Sequence, residues 1–154
     1  MSVAEIIASH EEPSRITVEQ FHGLMLATVP VVGEHPYSIV SLRFGEAVLR
    51  LDYRETQLRA GGTLNGPTMM TLADTALYAA VLTRIGYEPL AVTSDLNIRF
   101  LRKPEPRPLI ARARVLRVGR RLAVGTIEIA SEGTERGVLI EPLVAHATGT
   151  YAIP

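Results

Sequence analysis

The stretch GGTLNGPTMMTLADTALYAAVLT, Gly61 to Thr83, carries a single charged side chain, Asp74. Glycine and asparagine crowd its start, and Pro67 then sits where a helix would begin. Proline suits a first helical turn, because the N–H it lacks would have no acceptor inside the helix there. From Pro67 onward nearly every residue is apolar or small, so the pattern predicts a helix over about 67–84, with Gly86 placed to end it. Asp74 interrupts the apolar run, which is also short for a membrane span. An apolar helix of this kind must be packed inside something, and the rest of the chain reads as strands.

Downstream, AVTSDLNIRFLR sets Leu96, Ile98 and Phe100 against Asp95, Asn97 and Arg99 with a period of two. LIARARVLRVG and RLAVGTIEIAS flank a turn at Gly119–Arg120, which predicts a hairpin. EGTERG supplies another turn, and VLIEPLVAHATGTYAI reads as one long closing strand with an irregularity at Pro142. Small residues recur on one face of these strands: Ala111 and Ala113, Ala123 and Gly125, then Ala145, Ala147 and Gly149. They would let a curved sheet approach the central helix closely. Upstream, IVSLRFGEAVLRLDY gives two strand-like runs broken near Gly45, GEHPYS reads as a loop, and RAGGTLNGP as an irregular segment. ITVEQFHGLML predicts a short first helix over about 16–27. There Thr17 and Gln20 have capping-box spacing, Ile16 and Phe21 that of a hydrophobic staple, and Gly23 weakens the interior. The expected architecture is α+β, one curved antiparallel sheet around one central helix, in a single domain over 1–154.

Composition bounds the function. Lys+Arg and Asp+Glu both number 16, a formal net charge of +0, which argues against a nucleic-acid module. With 47% hydrophobic and 21% charged residues the chain is ordinary for a soluble globular protein. The absence of cysteine excludes disulfides, thiolate metal sites and a cysteine nucleophile, and fits a reducing compartment. MSVAEIIASHEEPSR has neither a basic leader nor a long apolar core, so a cytoplasmic protein without a signal peptide is expected. His10, His22, His35 and His146 are scattered without ligand spacing, and no metal site is expected.

Asp74 therefore needs a reason. It shares a helix face with Met70, Leu77 or Tyr78, and Val81, beside a weakly polar stripe of Thr71 and Thr75. Three readings stand: a carboxylate facing water, a charge complementing the helix N-terminus, or a functional carboxylate partly buried in a cleft. The preceding GGTLNGP favours the last. It places backbone N–H groups, with glycine allowing close approach, at a helix N-terminus, where negative charge such as a developing oxyanion is stabilised.

These residues resemble a known family. GGTLNGPTMMTLADTA, VTSDLNIRFLR and RVGRRLAVGTIEI…ATGTYAI are similar to the hotdog-fold acyl-CoA thioesterases of the phenylacetate-pathway (PaaI-like) type, over roughly Arg43 to Ile153. The resemblance implies a hotdog fold and hydrolysis of an acyl-CoA to a free acid and CoA. It implies that Asp74 is the nucleophile or general base, that the Gly66 N–H polarises the thioester carbonyl, and that Thr93 helps position the nucleophilic water. It implies a homodimer or homotetramer with sites between subunits, Asp74 of one chain facing Gly66 of the other, and no cofactor beyond the CoA of the substrate. The sequence departs from the family at Asn65, where His is usual, at Pro67 in place of a second glycine, and at Arg59 in place of Asn. Asn65 could assist through its amide or could serve as a turn or cap residue. For the CoA phosphates Arg120 and Arg121, at the hairpin turn, are the better candidates, ahead of Arg99, Arg102 and Lys103. A non-catalytic acyl-CoA-binding protein is the main alternative. A hotdog dehydratase or hydratase, which would need a paired His and acid, ranks third. Met69, Met70, Leu77 and Tyr78 fit either an apolar acyl pocket or core packing.

Overall fold

The computed structural model describes residues 2–3, 12–29 and 37–154. His10, His35 and the first part of the predicted GEHPYS loop lie outside the described residues. Helix α1 (Val18–Thr28) is followed by β1 (Tyr37–Arg43), β2 (Glu46–Leu51), a 3-10 turn (Glu55–Gln57), and the short strands β3 (Leu58–Arg59) and β4 (Thr63–Leu64). Then come the central helix α2 (Gly66–Ile85) and strands β5 (Val92–Phe100), β6 (Leu109–Val118), β7 (Leu122–Ser131) and β8 (Ala145–Ala152). Six strands form one antiparallel sheet in the order β1-β2-β6-β7-β8-β5, and β3 pairs with β4 separately. The fold is the hotdog arrangement, with α2 as the filling. Among the described residues no helix is long and apolar enough to cross a membrane.

Local chemistry sets the element ends. Thr17 caps α1 through a reciprocal capping box, its Oγ1 accepting from the Gln20 N–H at 3.1 Å while Gln20 Oε1 accepts from the Thr17 N–H at 2.9 Å. Ile16 and Phe21 are both buried. The helix continues through Gly23 to Thr28. Asn65 caps α2, and Gly86, at φ +87°, closes it. Gly61 and Gly62, both at positive φ, turn the β3–β4 hairpin inside the segment expected to be irregular. The long closing strand is a correction. Only Ala145–Ala152 is strand, and Pro142, which has no N–H to give a ladder, lies in the loop before it.

The small-residue face is where helix and sheet meet. Ala111, Ala113, Ala123, Ala145 and Ala147 are buried. Gly125 and Gly149 face each other across β7 and β8. A methyl group on either would come within 2.6 or 2.7 Å of a Leu77 methyl carbon. Leu77, fully buried on α2, is seated over this glycine pair.

Candidate active site

Asp74 lies in the middle of α2, beyond the first turn and thus past the reach of the helix N-terminus. Its side chain is half-buried. Oδ1 accepts two hydrogen bonds, from the Thr93 hydroxyl at 2.7 Å and from the Tyr151 phenol at 2.7 Å. Oδ2 accepts none from the described residues. The carboxylate lines a cavity of about 320 Å³, at the small end of ligand-site volumes, with walls that include Met25 and Val29 of the α1 region, Leu51, Met70 and Leu96. Asp74 is the only charged residue among the described residues that line it. Thr71 and Thr75 also line it, but their hydroxyls are bonded back to helix carbonyls, of Pro67 at 3.0 Å and Thr71 at 2.8 Å. Of the four apolar candidates only Met70 reaches this cavity, while Leu77 and Tyr78 are core and Met69 lines the cleft around Gly66.

Thr93 reaches Asp74 because β5 is bulged. Its register with β8 shifts between Thr93 and Asp95, so that Thr93 opposes Tyr151 while Leu96 opposes Gly149. An unbroken period of two would put Thr93 on the outer face with Asp95 and Asn97. The extra residue, Ser94, turns it inward alongside Leu96. Tyr151 was not anticipated from the sequence, although a signal existed: it continues the inward-facing series Ala145, Ala147, Gly149 by one more step of two. It is 3% exposed, and its ring stacks on Tyr78 with centroids 5.2 Å apart at 6°. Tyr78 in turn meets Phe21 of α1 edge-on at 5.9 Å and donates its hydroxyl to the Glu88 carbonyl at 2.9 Å. Burial, then the Glu88 charge and Tyr87, push the Tyr78 phenol up to about 12. Burial foremost, and then the Asp74 charge, raise the Tyr151 phenol further above the ordinary range, so it remains a donor at any working pH.

Gly66 is elsewhere in the same chain. As the first residue of α2 its N–H has no acceptor among the described residues, whereas the Thr68 N–H is capped by Asn65 Oδ1 at 2.8 Å. Gly66 lines a separate cleft of about 480 Å³ with Phe100, Arg59, Arg102 and Lys103. A Cβ at Gly66 would stand 3.2 Å from the Phe100 ring, so glycine lets that ring close on the helix start. Asn65 acts as the cap, and its Nδ2 donates to the Gln57 carbonyl at 2.7 Å, leaving one amide hydrogen uncommitted. Arg120 lines a third cleft with Arg15, Phe44 and Arg84 at the far end of α2, while the Arg121 carbonyl accepts from the Ile153 N–H at 2.7 Å. Thus one chain brings together Asp74 and Thr93, and separates both from Gly66 and from Arg120.

Residues 61–138 match the family described as Thioesterase superfamily. A crystal structure from Silicibacter sp. TM1040, assigned as a thioesterase, is 40% identical, with 94% of this chain and 96% of that one covered and a TM-score of 0.79. The PaaI protein from the phenylacetic acid degradation operon of E. coli is 25% identical over 89% of this chain and 93% of its own, with a TM-score of 0.73. A protein of Saccharolobus solfataricus assigned as an esterase is 33% identical over 90 residues, 58% of this chain, and the match spans 64% of that relative's length.

Proposed function

As the chain belongs to the thioesterase superfamily, with a PaaI-like hotdog fold, we propose that it hydrolyses an acyl-CoA thioester to a free acid and CoA. The observation that carries this reading is the half-buried Asp74 carboxylate, oriented by two hydroxyls at the wall of an apolar cavity. With Oδ1 occupied, Oδ2 either takes a proton from an attacking water or attacks the thioester carbonyl itself. Thr93 gives its proton to Asp74 and keeps lone pairs with which to accept from that water. The Gly66 N–H stabilises the oxyanion as the carbonyl becomes tetrahedral, the Asn65 amide assists from the cap, and collapse expels the CoA thiolate; where Asp74 is the attacking group, water then hydrolyses the resulting acyl–Asp74 anhydride to the free acid and restores the carboxylate. Among the described residues the cavity wall carries no cation, which favours an uncharged acyl group over one ending in a carboxylate.

The separation of Asp74 from Gly66 supports a site shared between two copies of the chain. β5 is a sheet edge, with Val92 and Phe100 exposed on it and Leu90 and Leu101 exposed beside it. Thr93 beside Asp74 and Phe100 beside Gly66 mark its two ends, about 20 Å apart at strand rise across the bulge. Antiparallel pairing of two β5 strands about a two-fold axis between Leu96 and Asn97 would set Thr93 of each copy opposite Phe100 of the other. The Gly66 N–H of one copy would then serve Asp74 of its neighbour. On this reading the functional unit is a homodimer, and two dimers can associate as a tetramer. The CoA phosphates fall to Arg102 and Lys103, with Arg59, in the Gly66 cleft; Arg120 and Arg121 are a second basic position.

Thiol release from a panel of short, medium, long and aromatic acyl-CoAs tests the reading, since the cysteine-free chain gives no background with a thiol reagent. Wild type should turn over at least one uncharged acyl-CoA, and Asp74→Asn should lose at least about 100-fold in kcat. Saturable acyl-CoA binding without turnover would replace it with the binding-protein reading. Turnover that survives Asp74→Asn would mean a different residue carries the reaction.

A further inference from the structure

We propose that Tyr151 is a positioning residue for Asp74: its phenol and the Thr93 hydroxyl together saturate Oδ1 and so leave Oδ2 as the single basic atom offered to the cavity. The inference rests on Asp74 acting as the base or nucleophile.

Four features of the geometry carry it. First, the phenol has one proton and two candidate acceptors, Asp74 Oδ1 at 2.7 Å and the Asp74 carbonyl at 3.2 Å. The shorter, charge-assisted bond takes it. Second, the two donors arrive from a directly opposed cross-strand pair, Thr93 on β5 and Tyr151 on β8, so they converge on one oxygen from a rigid sheet rather than from a loop. Third, the Tyr151 ring cannot swing away without breaking its stack on Tyr78, whose own hydroxyl is tied to the Glu88 carbonyl and whose ring is braced by Phe21. Fourth, among the described residues Thr93 and Tyr151 are the side chains that hydrogen-bond to the carboxylate. Of the described cavity-lining residues Tyr37 and Tyr151 are the titratable ones besides Asp74, and Asp95, past the bulge, lies on the outer face of β5.

A carboxylate free to rotate presents either oxygen and wastes orientations; one pinned through Oδ1 presents Oδ2 alone. Loss of the phenol proton also removes a donor from a charged oxygen, which makes protonation of the carboxylate easier. Both effects act on the chemical step and leave acyl-CoA contacts unchanged.

The experiment compares Tyr151→Phe with wild type on the best acyl-CoA found in the panel. The phenylalanine ring keeps the stack, so the fold should hold and KM should change little. The expected result is a fall in kcat of about 10- to 100-fold and a shift of the acidic limb of the kcat profile to higher pH. Incorporation of 3-fluorotyrosine at position 151 keeps the ring and strengthens the donor, and should move the acidic limb the opposite way even if the phenylalanine variant folds poorly. Unchanged kcat and an unmoved acidic limb in both variants, while Asp74→Asn is inactive, would overturn the positioning role and leave the thioesterase reading intact. Activity that survives Asp74→Asn would fail the reading beneath it instead.

Discussion

Asn65 shows how one side chain can be read in two ways and be observed in one. In the family it resembles, the position holds histidine, and the amide of Asn65 could take over a carbonyl contact. The structure has that amide capping α2 through the Thr68 N–H and fastening the helix start to the Gln57 carbonyl, which also accepts the Asn65 N–H at 2.8 Å. Replacing Asn65 with alanine should therefore lower stability by about 0.5–2 kcal/mol, the ordinary range for a lost N-cap, as read from chemical denaturation. Because the cap sets the direction of the neighbouring Gly66 N–H, kcat should fall as well. Asn65→Asp, which keeps the cap acceptor but loses the donor to Gln57, should recover part of the stability. A variant as stable as wild type would show that the cap contributes nothing to holding the helix start.

At the scale of elements, the helix-in-sheet packing was the most legible part of the chain. Pro67 and Gly86 bracket α2, the alternation in β5 to β7 has a clear period, and the recurring small residues mark the face that meets the helix. The contact behind that pattern is Leu77 over Gly125 and Gly149. Gly149→Ala would place a methyl group 2.7 Å from a Leu77 methyl carbon and 3.2 Å from the Asp95 carbonyl. The expected cost is about 1–3 kcal/mol of stability, measured by urea denaturation; a neutral effect would mean that the helix can lift off this face without loss. What stayed hidden were features that break a period. The bulge at Ser94 turns Thr93 inward, and strand alternation alone assigns it to the wrong face; only the family resemblance pointed to it. Tyr151 was hidden for a different reason. It sits at the end of a strand whose small residues drew attention to packing, and nothing local announces that its hydroxyl meets a carboxylate 77 positions earlier in the chain. The closing strand was overextended because apolar residues from Val138 onward carry a strand-like composition, and Pro142 excludes the ladder there.

Across the whole molecule, the groups that the proposed reaction uses are divided between two clefts of one chain. Asp74, Thr93 and Tyr151 meet at the cavity beside the middle of α2, while the Gly66 N–H, without an acceptor among the described residues, and the cations Arg59, Arg102 and Lys103 gather at another cleft. The exposed edge strand β5 runs between the two, and a two-fold axis through its centre would repair the separation twice, once for each site. Composition argued against nucleic acid as a partner and excluded cysteine as a nucleophile. It could not reveal this division, which depends on the fold placing position 66 and position 93 at opposite ends of one strand.

The most direct measurement mixes two inactive variants. Asp74→Asn lacks the carboxylate. Gly66→Pro lacks the N–H while keeping a residue suited to the first helical position, although its Cβ requires the Phe100 ring, 3.2 Å away, to yield by a few tenths of an ångström; Asn65 before it is already extended, as a residue preceding proline prefers. Each variant is checked for a wild-type circular dichroism spectrum, then the two are unfolded together, refolded and assayed for thiol release. If sites are shared, half of the dimers are mixed, and each mixed dimer has one site with both groups intact. The mixture should then recover about a quarter of wild-type activity, far above either parent. A mixture no more active than its parents, with mixed dimers demonstrated by affinity tags, would contradict the shared site and the chemistry built on it.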